Sequence, residues 1–184
     1  MNYELRKKNK GFTLIETLIA VTIVGMALAG PLSIVGKSLI SASFAKDQIT
    51  AFYLAQEAIE YVHNLRDTNL NLSIPWLTNN VSVSGDPADL SSCTESYPCM
   101  VDVPSARIYS CSPTISTDKC EPLKYENAEH LYTNSSSSAE DSIFTRYLYL
   151  SPINDKESSV VVNVSWKTGT LEKGIVLKEN IFNR

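Results

Sequence analysis

The stretch KNKGFTLIETLIAVTIVG, residues 8 to 25, decides how the rest of this 184-residue chain is read. A basic segment gives way at Gly11 to an apolar run, and a single carboxylate, Glu16, stands near the start of that run. From residue 17 to residue 36 no side chain is charged. Twenty helical residues at about 1.5 Å each match the thickness of a bilayer core. Ahead of the run lie Arg6, Lys7, Lys8 and Lys10 against one acid, Glu4; beyond it charges are sparse until Lys46 and Asp47. That asymmetry predicts a single-pass membrane protein with its N-terminus in the cytoplasm and its body outside.

Glu16 is the anomaly. A carboxylate at the centre of a membrane helix costs about 2.5–3.5 kcal/mol on insertion scales, less near an end, and it wants a partner. Residues 17 to 36 contain none. A partner arises if the chain is cut just before Phe12, because the new α-amine then lies one helical turn from Glu16, on the same chain or on a neighbour. The pattern K-x-K-G-F-T-L-I-E-x-L-I-A, Lys8 to Ala20, resembles the N-terminal signature of type IV pilins and pseudopilins. The resemblance implies cleavage between Gly11 and Phe12 by a prepilin peptidase, N-methylation of Phe12, and a role for Glu16 in aligning the subunit during assembly. It further implies other pilin or pseudopilin subunits, an inner-membrane assembly platform and, before assembly, membrane lipid as partners. The product would be a cell-surface or periplasmic filament of a type IV pilus or of a type II secretion-like system. Among such proteins the loop-rich body and the cysteine placement point to a minor pilin.

On that reading residues 1–11 are a leader to be removed, 12–36 a transmembrane or filament-core helix, and 37–184 an exported domain. Loss of the leader's four basic residues and Glu4 leaves 12 Lys/Arg against 19 Asp/Glu, a side-chain balance of −7. The helix is expected to run on to about residue 66. Ala51, Ala55, Ala58, Val62 and Leu65 recur at spacings of four and three, with Leu54, Ile59 and Tyr61 widening the face. Gly30 and Pro31 predict a kink or weak point, since proline lacks an N–H and crowds the preceding turn.

The fold class that follows is α+β: a long N-terminal helix packed on a C-terminal antiparallel sheet. FTRYLYL (144–150), SVVVNVSWKT (159–168) and LEKGIVLKENIF (171–182) read as a three-stranded meander, with Val160, Val162, Val164 and Trp166 on one face. A turn is expected at Lys167-Thr168-Gly169-Thr170. Between residues 67 and 142 the chain is rich in Asn, Ser, Asp and Pro and reads as loops with short β-prone runs such as YPCMVDV (97–103) between them, and TNSSSSAEDS (133–142) as a mobile loop.

Cys93, Cys99, Cys111 and Cys120 form an even, clustered set, which in an exported domain indicates disulfides rather than a metal site. Three pairings are possible; short loops favour Cys93–Cys99 and Cys111–Cys120. No cofactor or metal is expected, because neither cysteine knuckles nor phosphate-binding glycine motifs occur. The mildly acidic composition excludes a nucleic-acid surface. His63 reads as a helix-surface residue, and His130 has Glu129 beside it without forming a triad, so no enzymatic activity is expected. Asp86, in GDPAD, lacks the further oxygen ligands that calcium needs. Two other readings of the N-terminus stand beside this one. Ala27-Leu28-Ala29 fits a secretory cleavage site, which would release a protein beginning at Gly30. An uncleaved anchor would instead carry an extracytoplasmic binding module or adhesin.

Overall fold

The computed structural model describes residues 11–78, 90–111, 120–135 and 139–183. One α-helix, α1, spans Leu14–Asn71, and all the described strands follow it in sequence. By its contacts the chain divides into Met1–Phe44 and Ala45–Arg184.

Within the first unit, every described residue from Gly11 to Phe44 is exposed. The expected weak point is not an interruption: α1 continues through Gly30 and Pro31. Proline removes one hydrogen bond from the ladder, and the turns on either side continue the helical path. Thr17 Oγ1 donates to the Leu14 carbonyl and Thr22 Oγ1 to that of Ile19, each at 2.8 Å, so both hydroxyls are satisfied within the helix.

In the second unit, α1 buries Ala51, Leu54, Ala55, Ala58, Ile59, Val62 and Leu65. This is the predicted stripe, with Tyr61 at its half-buried margin. Two polar residues join it. Arg66 is buried while its guanidinium pairs with Asp67 at 2.7 Å, and Asn69 donates to the carbonyls of Trp76 and Thr78. Those last bonds tie the helix end to the following loop, and α1 runs to Asn71 rather than stopping near 66. It closes with the Ile74 N–H on the Asn69 carbonyl and the Ser73 N–H on that of Leu70, Ser73 taking a φ of 56°. This is a Schellman cap with serine in the left-handed position that glycine usually fills.

The stripe packs on a five-stranded antiparallel sheet of order β2-β1-β6-β7-β8. Its strands are β1 (Cys99–Asp102), β2 (Arg107–Ser110), β6 (Phe144–Asn154), β7 (Glu157–Thr168) and β8 (Leu171–Phe182). The expected meander is therefore the larger part of a wider sheet. Val160, Val162, Val164 and Trp166 are buried with Phe144, Leu148 and Leu150 under the helix. The β7–β8 hairpin pairs Thr168 with Leu171 across Gly169 and Thr170, and Gly169 takes the positive φ of 63° that a two-residue hairpin loop requires. In β6, Pro152 sits at a register shift beyond the paired length of β1, where its missing N–H breaks no second ladder.

The loop-rich region holds β1 within the β-prone run YPCMVDV, and more strands beside it than its composition promised. Besides β1 and β2 it contains β3 (Lys124–Glu126), β4 (Leu131–Thr133) and β5 (Glu140–Asp141), which form a second sheet of order β4-β3-β5. Within the stretch expected to be a mobile loop, Thr133 ends β4 and Glu140–Asp141 form β5; residues 136–138, like Asp86 and the leader residues 1–10, lie outside the described residues. Disulfides join Cys93 to Cys99 and Cys111 to Cys120, with Cα separations of 5.4 and 4.7 Å.

Candidate processing and assembly segment

Gly11, Phe12 and Thr13 precede the helix and are exposed, Phe12 at 81%. Thr13 is the N-cap of α1. Its carbonyl accepts from the N–H groups of Glu16 (3.1 Å) and Thr17 (3.2 Å), and its Oγ1 accepts from the Glu16 N–H at 3.3 Å. Thr13-Leu14-Ile15-Glu16 has the spacing of a capping box, in which threonine serves the third helical N–H and an acid occupies that third position. Placing Glu16 in the first turn also sets a negative charge at the positive end of the helix dipole. The sequence signal for this local task of Glu16 is T-x-x-E, Thr13 to Glu16.

The surface that follows is apolar. Leu14, Ile15, Leu18, Ile19, Val21, Ile23, Val24, Met26, Leu28, Leu32, Ile34 and Val35 are all exposed. Shielding side chains of this kind from water is worth about 1.5–3 kcal/mol each, so their exposure together forgoes on the order of 20 kcal/mol. That exceeds the stability of a typical domain, so this segment requires lipid or other helices around it. Among the described residues α1 is the only helix long and apolar enough to cross a membrane.

Residues 6–30 match the family model described as the prokaryotic N-terminal methylation motif. The chain carries a prepilin-type N-terminal methylation motif. Gly11, Phe12, Glu16 and the apolar residues up to Gly30 all lie inside the matched span. The motif and the long apolar helix are consistent with a type IV pilin-like precursor, processed by prepilin peptidase and anchored in a membrane. Comparison with curated proteins and with solved structures gives no significant match.

Elsewhere the ionisable groups form structural contacts. Arg146, on the core-facing side of β6, is 1% exposed. Its Nη1 donates to the Leu54 carbonyl at 2.9 Å and to Glu57 Oε2, and its Nη2 donates to the Val101 carbonyl at 2.7 Å. Asp102, at the end of β1, is fully buried. It accepts hydrogen bonds from the hydroxyls of Ser105, Thr133 (2.8 Å) and Ser135 (2.7 Å) and from the Asn134 N–H (3.0 Å). Burial alone would raise the Asp102 carboxyl, but these four donors outweigh it and hold the group below its ordinary value. Tyr61 donates to the Ala106 carbonyl at 3.1 Å; burial, reinforced by the Asp102 charge, pushes its phenol up to about 12. His63 Nε2 lies 2.9 Å from Glu179 Oε1, and His130 Nδ1 lies 3.1 Å from the Tyr125 hydroxyl. The described partner of each histidine is therefore a single side chain, not a nucleophile with an orienting acid.

Proposed function

We propose that this chain is a structural subunit, a minor pilin or pseudopilin, of a type IV pilus or type II secretion-like filament. The carrying observation is the methylation motif at residues 6–30 joined to an apolar helix surface exposed from Leu14 to Val35. Pilin-like proteins are typically structural rather than enzymatic. The precursor sits with its leader in the cytoplasm and its body outside; the peptidase cuts between Gly11 and Phe12, and Phe12 is methylated. Residues 12–36 then remain in lipid until an assembly platform moves them into a filament, where lipid contacts are exchanged for helix contacts of similar quality. Glu16, away from water, opposes the N-terminal amine of a neighbour and fixes register. Gly30 and Pro31 are the place where the helix has fewest restraints on local unwinding during that transfer.

The test is intact mass and N-terminal sequencing of the protein from its native membrane. A chain beginning at N-methylated Phe12 supports the proposal; one beginning at Gly30 or Met1 rules out prepilin processing. Glu16→Leu then separates filament assembly from mere anchoring. Loss of the protein from sheared filaments, with normal membrane insertion, marks an assembly residue. An anchored binding module would tolerate the change.

A further inference from the structure

The scissile bond assigned above lies two residues ahead of Leu14, where α1 begins. Hydrolysis there requires water to add to the Gly11 carbonyl carbon, the Gly11–Phe12 C–N bond to break, and the departing Phe12 amine to take up a proton. A carbonyl already accepting a main-chain bond inside a helix is poorly placed for that reaction. Where α1 starts therefore bears on whether the chain is cut.

We infer that Thr13, by capping α1, is a positioning residue for leader removal: it stops the helix short of the Gly11–Phe12 bond and keeps that bond open to the peptidase. This rests on the processing reading given under Proposed function. The first main-chain bonds of α1 end on the Thr13 carbonyl, and Thr13 Oγ1 is a second, side-chain acceptor for the Glu16 N–H. Ahead of that turn the chain from Gly11 to Thr13 is not helical. Upstream, the next side chain with strong N-cap character is Asn9. Without the Thr13 hydroxyl, the first N–H groups of α1 lose an acceptor at the edge of an apolar segment, where water replaces it poorly. Extension of the helix to a cap at Asn9 restores one. In the extended helix Gly11 and Phe12 fall in the first turn, and the Gly11 carbonyl accepts from the Ile15 N–H. Gly11 opposes that extension as a poor helix former, so the effect is a shift in population and not an absolute block.

The experiment uses the full-length precursor in membrane vesicles with prepilin peptidase, comparing wild type with Thr13→Val, Thr13→Ser and Thr13→Asn. Valine keeps the shape of threonine without the acceptor; serine and asparagine restore a cap. Cleavage is expected to slow in Thr13→Val by at most about fivefold, the change in equilibrium that loss of one ordinary N-cap gives, and to return in both capping variants. Cα chemical shifts of Gly11 and Phe12 in the detergent-solubilised precursors should move to helical values in Thr13→Val alone. Equal cleavage of the valine and asparagine variants, whether both fast or both slow, overturns the inference while leaving the processing site intact. Failure of the wild type to be cut between Gly11 and Phe12 overturns the processing reading itself, and this inference with it.

Discussion

Arg146, in the middle of the sheet, and Glu57, on the helix above it, form an ion pair that closes the interface between them. The arginine is almost wholly buried, whereas the Glu57 side chain is 38% exposed. Arg146 also holds one carbonyl of the helix and one of β1, so a single side chain sets the helix against two strands. It shares the buried face of β6 with Phe144, Leu148 and Leu150, which leaves it no route to water along its own strand.

Removing the two partners should therefore have unequal effects. Arg146→Ala loses three bonds, orphans the Leu54 and Val101 carbonyls and leaves a void, and a loss of about 3–5 kcal/mol is expected. Glu57→Gln keeps an acceptor for the guanidinium and water access, and about 1–2 kcal/mol is expected. Urea unfolding of the full chain in detergent, followed by circular dichroism, measures both. A Glu57→Gln loss as large as that of Arg146→Ala would show that the exposed carboxylate, not the buried scaffold of carbonyls, dominates the contact.

Asp102 predicts a sign for acid stability. Its folded value is depressed, so its contribution is present above the unfolded value of about 3.9 and is lost as pH falls through the folded one. Asp102→Asn should abolish that part of the acid dependence. At neutral pH the variant should also lose about 1–3 kcal/mol, because the Asn134 N–H and hydroxyls oriented toward a carboxylate meet an amide that donates as well as accepts. Unfolding midpoints measured from pH 2 to pH 7 on both proteins test it; parallel curves would contradict the assignment.

Tyr61 works in the opposite direction. Its folded value is raised to about 12, so its contribution is complete below the unfolded value of about 10 and is lost as pH rises through the folded one. Tyr61→Phe should flatten the fall in stability above pH 10, at a small loss near neutrality from the bond to Ala106. An unchanged alkaline profile in Tyr61→Phe would exclude this phenol as the source.

Much of this architecture was legible because it repeats. The alanine-rich period from Ala51 to Leu65 and the alternation of Val160, Val162, Val164 and Trp166 each extend over several turns or pleats, so single exceptions do not erase them. Short loops also made the two disulfides the simplest pairing. Asp102 was not legible, since its partners Thr133, Asn134 and Ser135 lie more than thirty residues away and polar sequence there looks like loop. Strands β3 to β5 are two or three residues long, too short for alternation to register. Arg146 was a missed signal rather than a hidden one. In FTRYLYL it shares parity with Phe144 and Leu148, which places it on the apolar face. The T-x-x-E cap at Thr13 and Glu16 was likewise available and obscured by the membrane argument.

The helix end offers the most direct check on local strain. The helix was expected to end near residue 66, yet Ser73 closes a complete Schellman cap at Asn71. Holding a non-glycine residue at φ 56° costs about 1–2 kcal/mol, of which glycine's extra freedom in the unfolded chain takes back about 0.5–1 kcal/mol. Ser73→Gly should therefore stabilise the folded protein by roughly 0.5–1 kcal/mol. Ser73→Val, with a branched side chain in the same conformation, should destabilise it. The pair is read as opposite shifts in urea midpoint with unchanged slope. If glycine gives no gain, the serine hydroxyl supplies a compensating contact, and the cap is tuned by its side chain as well as its backbone.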